Sequence, residues 1–279
     1  MTEIYHSVIG LPRSGKTTFL AALWHLIDAG EVQTKIVLDK LVGDHGYLNS
    51  IVDSWRRCEE VPRTSMAGET QVAIRVHETD SRRQFVLCFP DLSGESYEQM
   101  LAARKCKPDY VESYNGPGGL LLFVTANRAL DGICITDISN FTGEPASSSE
   151  PAQVVEWSPT MVPEQVRVVE LLQFLQQRPF ERRRRKLGLM VSAWDVVEAP
   201  SLSPAEWLAR ELPLLHQFLQ SNAGSFDVRV YGVSAQGGDV RGERKQELLR
   251  ITPSERIRCV YGDVDSHDIT EPISWLMTE

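Results

Sequence analysis

The sequence predicts a three-layer α/β fold in which helices cover both faces of a mainly parallel sheet. Apolar runs with the length of strands alternate along the chain with segments of helical periodicity, which is typical of a parallel sheet with crossover helices. The runs at residues 70–77 and 84–90 are joined by a short polar turn and predict an antiparallel hairpin. That hairpin adds one antiparallel edge to the sheet.

The strands are predicted from short runs that are either apolar or alternating. They cover residues 4–9, 35–42, 70–77, 84–90, 118–125, 187–192 and 227–233. The runs 118–125 and 187–192 are almost continuously apolar, as strands buried on both faces are. We therefore expect these two strands near the centre of the sheet.

The helices are predicted from apolar residues that recur every three or four positions. They cover residues 17–29, 47–58, 165–177, 203–220 and 270–277. The apolar face of the second helix consists of Leu48, Ile51, Val52 and Trp55. Ser203 is a suitable N-cap for the fourth helix, and Pro204 stands at its first position.

A chain of 279 residues can bury a full core and lies at the upper edge of a single domain. We interpret residues 1–279 as one elaborated domain, with two small domains as the alternative. Residues from about 127 to 163 are rich in Ser, Pro, Glu and Thr and lack a periodic apolar pattern. Such a stretch is predicted to be a functional insertion or a locally disordered segment.

Composition restricts the class of protein. The chain carries 29 Lys and Arg against 38 Asp and Glu, a net charge of −9, which argues against a nucleic-acid-binding surface. The longest apolar run, residues 119–126, is far too short to span a bilayer, and the N-terminus lacks a signal pattern. Five cysteines without C-x-x-C spacing are typical of a reducing compartment, so we expect a soluble cytoplasmic protein. The histidines show no paired spacing, so a metal site built from His and Cys is not expected.

The run from Gly10 to Thr17 has the spacing G-x-x-x-x-G-K-T and stands between a predicted strand and a predicted helix. Its glycines allow successive backbone N–H groups to face one concavity, which can bind phosphate oxygens at the positive end of the helix. Lys16 is predicted to reach the β- and γ-phosphates, and Thr17 to bind Mg²⁺. The predicted phosphate-binding residues are Gly10, Arg13, Ser14, Gly15, Lys16, Thr17 and Thr18. ATPases, kinases and GTPases share such a loop.

Asp91 ends the apolar strand at residues 84–90 and begins the pattern Asp91-x-x-Gly94. A carboxylate in this place can hold Mg²⁺ through water while the Gly94 N–H approaches the γ-phosphate. The alternative is a helix-capping Asp followed by a turn glycine. The metal site is favoured because this strand can lie beside the strand that leads into the phosphate loop.

Two further strand ends carry candidate base-recognition residues. Ser192 and Asp195 stand at the end of one strand, and Ser234 and Ala235 at the end of another. The Asp195 carboxylate can accept from the N1–H and N2–H₂ groups of guanine, and adenine offers no such pair of donors. The Ala235 N–H can donate to guanine O6. A strand-terminal capping Asp and an exposed turn are the alternatives for the two patterns.

All four motifs fall at the carboxyl ends of predicted strands, where open α/β sheets bind ligands. The chain resembles the Ras-like GTPases of the translation-factor class (TRAFAC), whose second strand is antiparallel. More narrowly, GLPRSGKTTFLAALW, FPDLSGE, SAWD and the terminal SWL segment resemble the bacterial double-GTPase group of predicted conflict and defence systems. The resemblance implies a P-loop NTPase G-domain that binds Mg²⁺ and GTP or GDP, with a protein effector or activator as partner.

The resemblance assigns a role to each matching residue. It implies that Lys16 and Thr17 bind phosphate and Mg²⁺ and that Asp91 belongs to the Mg²⁺ shell. It also implies that Gly94 contacts the γ-phosphate and that Asp195 and Ala235 contact guanine. Ser192 and Ala193 stand where the family pattern has Asn and Lys. Trp194 is expected to be a core residue, with packing against the base as the alternative.

The resemblance also implies a switch threonine that joins Mg²⁺ when γ-phosphate is present. Thr64, in the loop at residues 59–69, is preferred, and Thr70 is the alternative, although either can be an ordinary loop residue. Glu95 occupies the place of a water-positioning Gln in many relatives. A carboxylate beside γ-phosphate oxygens is electrostatically unfavourable, so we expect slow hydrolysis that a partner accelerates. The predicted catalytic residues are Lys16, Thr64, Gly94 and Glu95.

The leading hypothesis is a GTP-binding switch in which γ-phosphate orders the loops around Thr64 and Gly94. The alternatives are a P-loop kinase or ATPase with the basic run Arg182–Lys186 as a lid, and a scaffold that binds nucleotide without turnover. That run can also bind an acidic partner or a phosphate-rich surface, or be a solvated helix–strand connection. Arg13 is either an internal positive charge for catalysis or a solvated loop residue.

Overall fold

Strands and helices alternate along the part of the chain that the computed structural model describes, which is residues 2–40, 46–62, 70–81, 83–91, 94–128, 161–197 and 202–278. The strands are β1 (Thr2–Tyr5), β2 (Ser7–Gly10), β3 (Ile36–Lys40), β4 (Thr70–Glu78), β5 (Gln84–Asp91), β6 (Leu120–Thr125), β7 (Arg185–Ser192), β8 (Phe226–Ser234), β9 (Arg258–Tyr261) and β10 (Val264–Ser266). The helices are α1 (Lys16–Ala29), α2 (Gly46–Arg56), α3 (Gly94–Ala103), α4 (Pro108–Asn115), α5 (Glu164–Phe174), α6 (Pro204–Glu211), α7 (Pro213–Ser221), α8 (Gly242–Leu248), α9 (Pro253–Arg256) and α10 (Glu271–Met277). None of these described helices is long and apolar enough to cross a membrane.

The first strand joins two sheets. Its two halves, β1 and β2, are separated by His6; β1 pairs in parallel with β5, and β2 pairs in parallel with β6. The strand orders are β1-β5-β4-β3 and β10-β9-β8-β7-β6-β2. The central pairs are parallel, whereas β3, β4 and β5 pair antiparallel at one margin. The prediction of a mostly parallel sheet with an antiparallel edge is confirmed.

Helices lie on both faces of the strands, as the pattern of buried residues along β6 shows. Leu121 and Phe123 belong to the apolar cluster formed with α1, α2 and α10. Leu120, Leu122 and Val124 belong to the cluster formed with α3 to α7. Because successive strand residues point to opposite faces, this alternation places β6 in the middle layer of three.

Some elements differ from those predicted. The helix expected over residues 203–220 is two helices, because Pro213 cannot donate the backbone hydrogen bond of a helix interior and instead begins α7. Its start is as predicted: Ser203 is the N-cap and forms a capping box with Glu206. The helices α3, α4, α8 and α9 and the strands β9 and β10 are not predicted by the sequence pattern. This last pair gives the second sheet an antiparallel margin too.

The predicted insertion at residues 127–163 lies mostly outside the described residues, which stop at 128 and resume at 161. Its two flanks are joined, since Arg128 Nη1 donates to Glu164 Oε2 over 2.6 Å. Burial raises the pKa of the Glu164 carboxyl, and the positive charge of Arg128 opposes that effect. The chain therefore leaves and re-enters the described fold at one place, beside the carboxyl end of β6.

Candidate functional site

The loop between β2 and α1 is closely packed at its two glycines. A Cβ on Gly10 would lie 2.7 Å from Ser14 Oγ and 2.8 Å from the carbonyl oxygen of Phe123 on β6. Gly15 has a φ of +90° and a Cβ there would lie 2.8 Å from Cβ of Ser192. Both positions therefore require glycine, because a side chain would push the loop away from the neighbouring strands.

The Lys16 side chain is buried inside the loop, with 8% of its surface exposed. Its Nζ donates to the carbonyl oxygens of Gly10 at 2.7 Å and Leu11 at 2.9 Å, and to Ser14 Oγ at 3.3 Å. The ammonium group is thus held at the centre of the turn by oxygens of the loop itself. A positive charge in this place can also contact an anion bound by the loop.

Four further residues of the predicted phosphate site differ in exposure. Ser14 is buried, Thr17 and Thr18 are half-buried in the first turn of α1, and Arg13 is exposed. Arg13 also has a φ of +64°, in the left-handed region. The exposed side chain of Arg13 agrees with the alternative of a solvated loop residue. The backbone N–H groups of this first turn lie at the positive end of the α1 dipole.

Tyr97 of α3 packs beside the loop, although nothing in the sequence pattern indicated it. The side chain is fully buried, and its hydroxyl donates to the carbonyl oxygen of Val8 in β2 over 2.8 Å. The Tyr97 ring centroid lies 6.0 Å from Lys16 Nζ. The helix that follows the Asp91 motif is therefore fixed to the strand that leads into the loop.

The Asp91 motif lies at the carboxyl end of β5, which runs parallel to β1. Asp91 is the last residue of that strand, and Thr70 is its register partner on β4. Gly94 and Glu95 are the first two residues of α3, and Glu95 is half-buried. Thr64 lies outside the described residues. The backbone of Thr70, one of the two candidate switch threonines, therefore lies next to Asp91.

Asp195 is oriented by a residue of the neighbouring strand. It lies in a single 3₁₀ turn, Trp194–Val196, directly after β7, and its carboxylate is exposed. The Ser234 hydroxyl, at the end of β8, donates to Asp195 Oδ1. Ser234 Oγ in turn accepts from the Gly237 N–H at 3.1 Å. One oxygen of the carboxylate is thus fixed to the protein while the group as a whole faces solvent.

Trp194 packs inward, as expected for a core residue. Its ring lies against Gly232 of β8, where a side chain would collide with the indole. The ring centroids of Trp194 and Trp207 are 6.3 Å apart in an edge-to-face arrangement. This packing fixes the turn that carries Asp195.

The loop after β8 is held by α2, a contact that no local sequence pattern predicts. Trp55 Nε1 donates to the carbonyl oxygen of Ala235 over 2.9 Å. The Gln236 side chain donates back to the carbonyl oxygen of Trp55 over 3.1 Å. The Arg256 guanidinium lies 4.8 Å from the Trp55 ring centroid. Ala235 and Gln236 are therefore tied to a helix that is distant in sequence.

The register of the second sheet brings three of the predicted site segments to one edge of its strands. Gly10 pairs with Phe123, two residues before the end of β6, and Ser192 pairs with Thr125 on one side and Val233 on the other. The phosphate loop, the Asp195 turn and the Ser234 loop thus follow the carboxyl ends of parallel strands. From β2 to β8 there are three strand spacings, about 14 Å.

A parallel strand, a tight glycine loop around a buried lysine, and polar residues at the adjacent strand ends define a P-loop nucleotide-binding protein. The family model for Double-GTPase 1 matches residues 7–276, so the chain belongs to that family of GTPases. The resemblance to the double-GTPase group is confirmed. No curated protein matches the chain.

Two solved structures are among those similar to the chain. Methanosarcina barkeri Roco2 RocCORdC bound to GDP is 14% identical with a TM-score of 0.36, and the match covers 90% of this chain and 50% of that one. Sup35 complexed with GDP is 16% identical with a TM-score of 0.35, and the match covers 85% of this chain and 38% of that one. The chain thus spans half or less of each. Neither likeness bears on the function of this chain.

Proposed function

We propose that this member of the Double-GTPase 1 family is a GTP-binding switch with slow Mg²⁺-dependent hydrolysis of GTP. The observation that carries the proposal is the fixed Asp195 carboxylate, which stands on the same strand edge as the phosphate loop. A carboxylate is the group that distinguishes guanine from adenine, because guanine presents two adjacent N–H donors to it. The proposal includes a role in a bacterial conflict or defence system, which is what the resemblance to the double-GTPase group implies.

At the phosphate end, the loop residues contribute through backbone N–H groups and one buried cation. Gly10 and Gly15 permit the tight turn, and Lys16 neutralises the β- and γ-phosphates. The remaining proposed contacts are those of Arg13, Ser14, Thr17 and Thr18. Binding here exchanges some of the carbonyl contacts of Lys16 for charge-assisted contacts to phosphate, which are stronger.

The residues proposed for Mg²⁺ are chemically suited to it. Mg²⁺ prefers oxygen ligands, and Thr17, Asp91 and Thr64 or Thr70 supply hydroxyl and carboxylate oxygens. Thr17 lies in the first turn of α1, and Asp91 ends the strand parallel to β1. When bound with nucleotide, Mg²⁺ supplies charge neutralisation at the β- and γ-phosphates.

At the base end, Asp195 accepts from guanine, and the Ala235 N–H donates to the guanine carbonyl. Ser192 and Ala193 replace the Asn and Lys of the family pattern, and Ser192 packs against Gly15 of the phosphate loop. This contact joins the phosphate end to the base end. Ser234 contributes by holding the Asp195 carboxylate.

The switch function rests on Gly94 and Glu95, which follow β5, and on a threonine that precedes it in the chain. Gly94 offers its N–H to the γ-phosphate, and Thr64 or Thr70 adds a hydroxyl when that phosphate is present. Glu95 repels the γ-phosphate oxygens, since two negative charges about 4 Å apart disfavour each other even in water. Intrinsic hydrolysis is therefore slow, and a protein partner accelerates it. The catalytic step consists of positioning and charge neutralisation with no covalent intermediate.

We also propose that residues 1–279 form one GTPase domain and that it acts in the cytoplasm. Support for a single domain comes from the family match, which extends from residue 7 to 276. Support for the compartment comes from Cys58, Cys106 and Cys259, which are free thiols.

Nucleotide competition tests the proposal. Unlabelled GTP, ATP and XTP compete against a fluorescent guanine nucleotide, and we expect GTP to compete best. In Asp195→Asn, affinity for GTP should fall on the order of 100-fold, because two charge-assisted hydrogen bonds weaken. Affinity for XTP should rise relative to GTP, since xanthine offers an acceptor to the amide.

The matched control is Asp239→Asn, which changes an exposed carboxylate in the loop after β8. It should leave the preference for GTP unchanged. A preference of the unmodified protein for ATP would contradict the GTPase assignment and favour a P-loop ATPase or kinase. Phosphate release without an acceptor, measured alongside, separates a GTPase from a nucleotide-binding scaffold.

A further inference from the structure

The basic run Arg182–Lys186 is divided between two surfaces. Its last two residues belong to β7, where successive side chains point to opposite faces. Lys186 Nζ donates to the carbonyl oxygens of Trp275 at 3.2 Å and Thr278 at 2.6 Å on one face. On the other face the Arg185 guanidinium lies 4.1 Å from the Tyr114 ring centroid. The run is therefore more than a solvated connection.

Arg185 is a buried cation with unsatisfied hydrogen-bonding capacity. Only 5% of its surface is exposed, and its Nη2 makes no hydrogen bond within the described ranges of the chain. Burial lowers the pKa of this guanidinium, and the nearby Arg183 acts in the same direction. Buried charges in proteins normally have a partner of opposite charge, because desolvation is otherwise costly.

A groove of about 780 Å³ opens beside Arg185. It is lined by arginines 182 to 185, by Tyr114 and Phe218, and by the amide side chains of Gln176 and Asn222. Volumes of 300–1,000 Å³ are usual for pockets that bind small molecules. The half-buried Phe218 supplies an apolar wall, and its ring centroid lies 6.5 Å from that of Phe226.

The charge of this groove is strongly positive. Arg182 Nε donates to the carbonyl oxygen of Gln176 over 2.9 Å, and Arg183 Nη2 donates to that of Gly116. Each bond uses one of the five N–H donors of a guanidinium, and it fixes the side chain at the rim of the groove. Arg184 is exposed. Among the described residues that line the groove, Glu181 carries the one carboxylate, against four guanidinium groups.

The groove lies far from the candidate nucleotide site. It is at the amino ends of β7 and β8, marked by Arg185 and Phe226, whereas Ser192 ends β7 at the phosphate loop. Eight residues of strand span about 23 Å at about 3.3 Å per step. The basic run is therefore in the wrong place to form the predicted alternative, a lid over the phosphate loop. A ligand in the groove does not touch a nucleotide held by the loop.

We propose that this groove is a second anion site, which binds a small organic molecule bearing a phosphate group. Phosphate oxygens match the paired N–H donors of Arg185 and of the arginines at the rim, because guanidinium groups bind phosphate in this paired way. The organic part packs on Phe218. A small ligand is favoured over a phosphopeptide or a membrane because the Arg185 guanidinium is buried against the Tyr114 ring, inside a recess rather than on a flat surface.

Calorimetric titration with pyrophosphate tests the site in a Lys16→Ala background, where the phosphate loop lacks its cation. We expect one molecule bound per chain and weaker binding as salt is raised. Arg184→Gln, an exposed change that spares the core, should weaken binding at least about tenfold. Arg185→Lys keeps the positive charge but loses the paired N–H donors of the guanidinium, so it should weaken pyrophosphate binding as well. Arg250→Gln, which removes an exposed arginine away from the groove, should change nothing.

The proposal would be overturned if pyrophosphate did not bind to Lys16→Ala, or if Arg184→Gln and Arg250→Gln bound it equally. Tighter binding of a phosphoserine peptide or of phosphatidylglycerol vesicles than of pyrophosphate would also overturn it, in favour of a macromolecular ligand. The site does not depend on the proposed GTPase function. Failure of guanine binding in the competition assay leaves this titration interpretable.

Discussion

Lys16 is the single residue on which the phosphate end depends most. Its ammonium group donates to Gly10 O and Leu11 O, so it closes the loop as well as supplying a positive charge. A buried lysine is costly unless its donors are satisfied, and here loop oxygens satisfy them. Phosphate oxygens can take over this task on binding. Removing the side chain should therefore affect both ligand affinity and the loop itself.

We predict that Lys16→Ala raises the Kd for GDP roughly 10- to 150-fold, since a hydrogen bond to a charged group contributes about 1.5–3 kcal/mol. Titration with a fluorescent guanine nucleotide measures the change, and thermal unfolding reports whether the fold persists. The control is Lys105→Ala, an exposed lysine between α3 and α4. Normal binding and hydrolysis by Lys16→Ala would exclude the loop as the nucleotide site.

The residues of the phosphate loop could be predicted because they are neighbours in sequence and their spacing is fixed by one turn. The close approach of Gly15 to Ser192 could not be predicted, since it depends on the register of β7 beside β6. The same holds for Tyr97, whose hydroxyl reaches β2 across 89 positions of sequence. Contacts of this kind follow from the assembled sheet rather than from a local pattern.

Among the elements, α2 has an unexpected position. Its existence could be predicted from the spacing of Leu48, Ile51, Val52 and Trp55, all of which are buried. Its role as a support for the loop after β8 could not, because Trp55 and Ala235 are 180 positions apart. α2 therefore fixes the loop whose Ala235 N–H is proposed to contact the guanine carbonyl.

We predict that Trp55→Phe weakens guanine nucleotide binding about fivefold, because loss of the indole N–H leaves the Ala235 carbonyl without this donor, a net effect of about 1 kcal/mol. The matched control is Trp24→Phe. It removes the hydrogen bond that Trp24 Nε1 of α1 donates to Asn49 Oδ1 of α2 over 3.2 Å. Competition titrations of both variants measure the effect. An equal loss of affinity in both would show that α2 acts through general stability alone.

The boundaries of elements show where sequence patterns are insufficient. The apolar periodicity of residues 203–220 continues through Pro213, so the pattern predicts one helix where the backbone forms two. The strands β9 and β10 have four and three residues, too few for a period-two pattern to be distinguished from a loop. They form because β8 offers a free edge, which only the assembled sheet reveals.

At the scale of the whole molecule, the two sheets meet at His6. This residue is fully buried between β1 and β2, and its Nδ1 accepts from the Gly119 N–H at 3.2 Å. The backbone on either side pairs with the approach to β6: Tyr5 N–H donates to Pro117 O and Ser7 N–H to Gly119 O. Protonation of His6 would therefore place a charge where both sheets are joined.

Burial lowers the pKa of His6 from 6.5 to about 4. Between these two values the unfolded chain binds a proton that the folded chain does not, so stability falls as pH decreases through this window. From pH 7 to pH 5 we predict a loss of about 2 kcal/mol in the free energy of unfolding from His6. Urea denaturation at the two pH values measures it.

Because other groups also titrate, the test is a comparison of variants. His6→Gln retains an acceptor for the Gly119 N–H but has no proton to gain, so its loss of stability from pH 7 to pH 5 should be smaller by about 2 kcal/mol. His216→Gln, on the surface helix α7, should retain the dependence of the unmodified protein. An identical dependence in His6→Gln would show that the junction of the two sheets tolerates the charge, and the acid sensitivity would then belong to groups elsewhere in the fold.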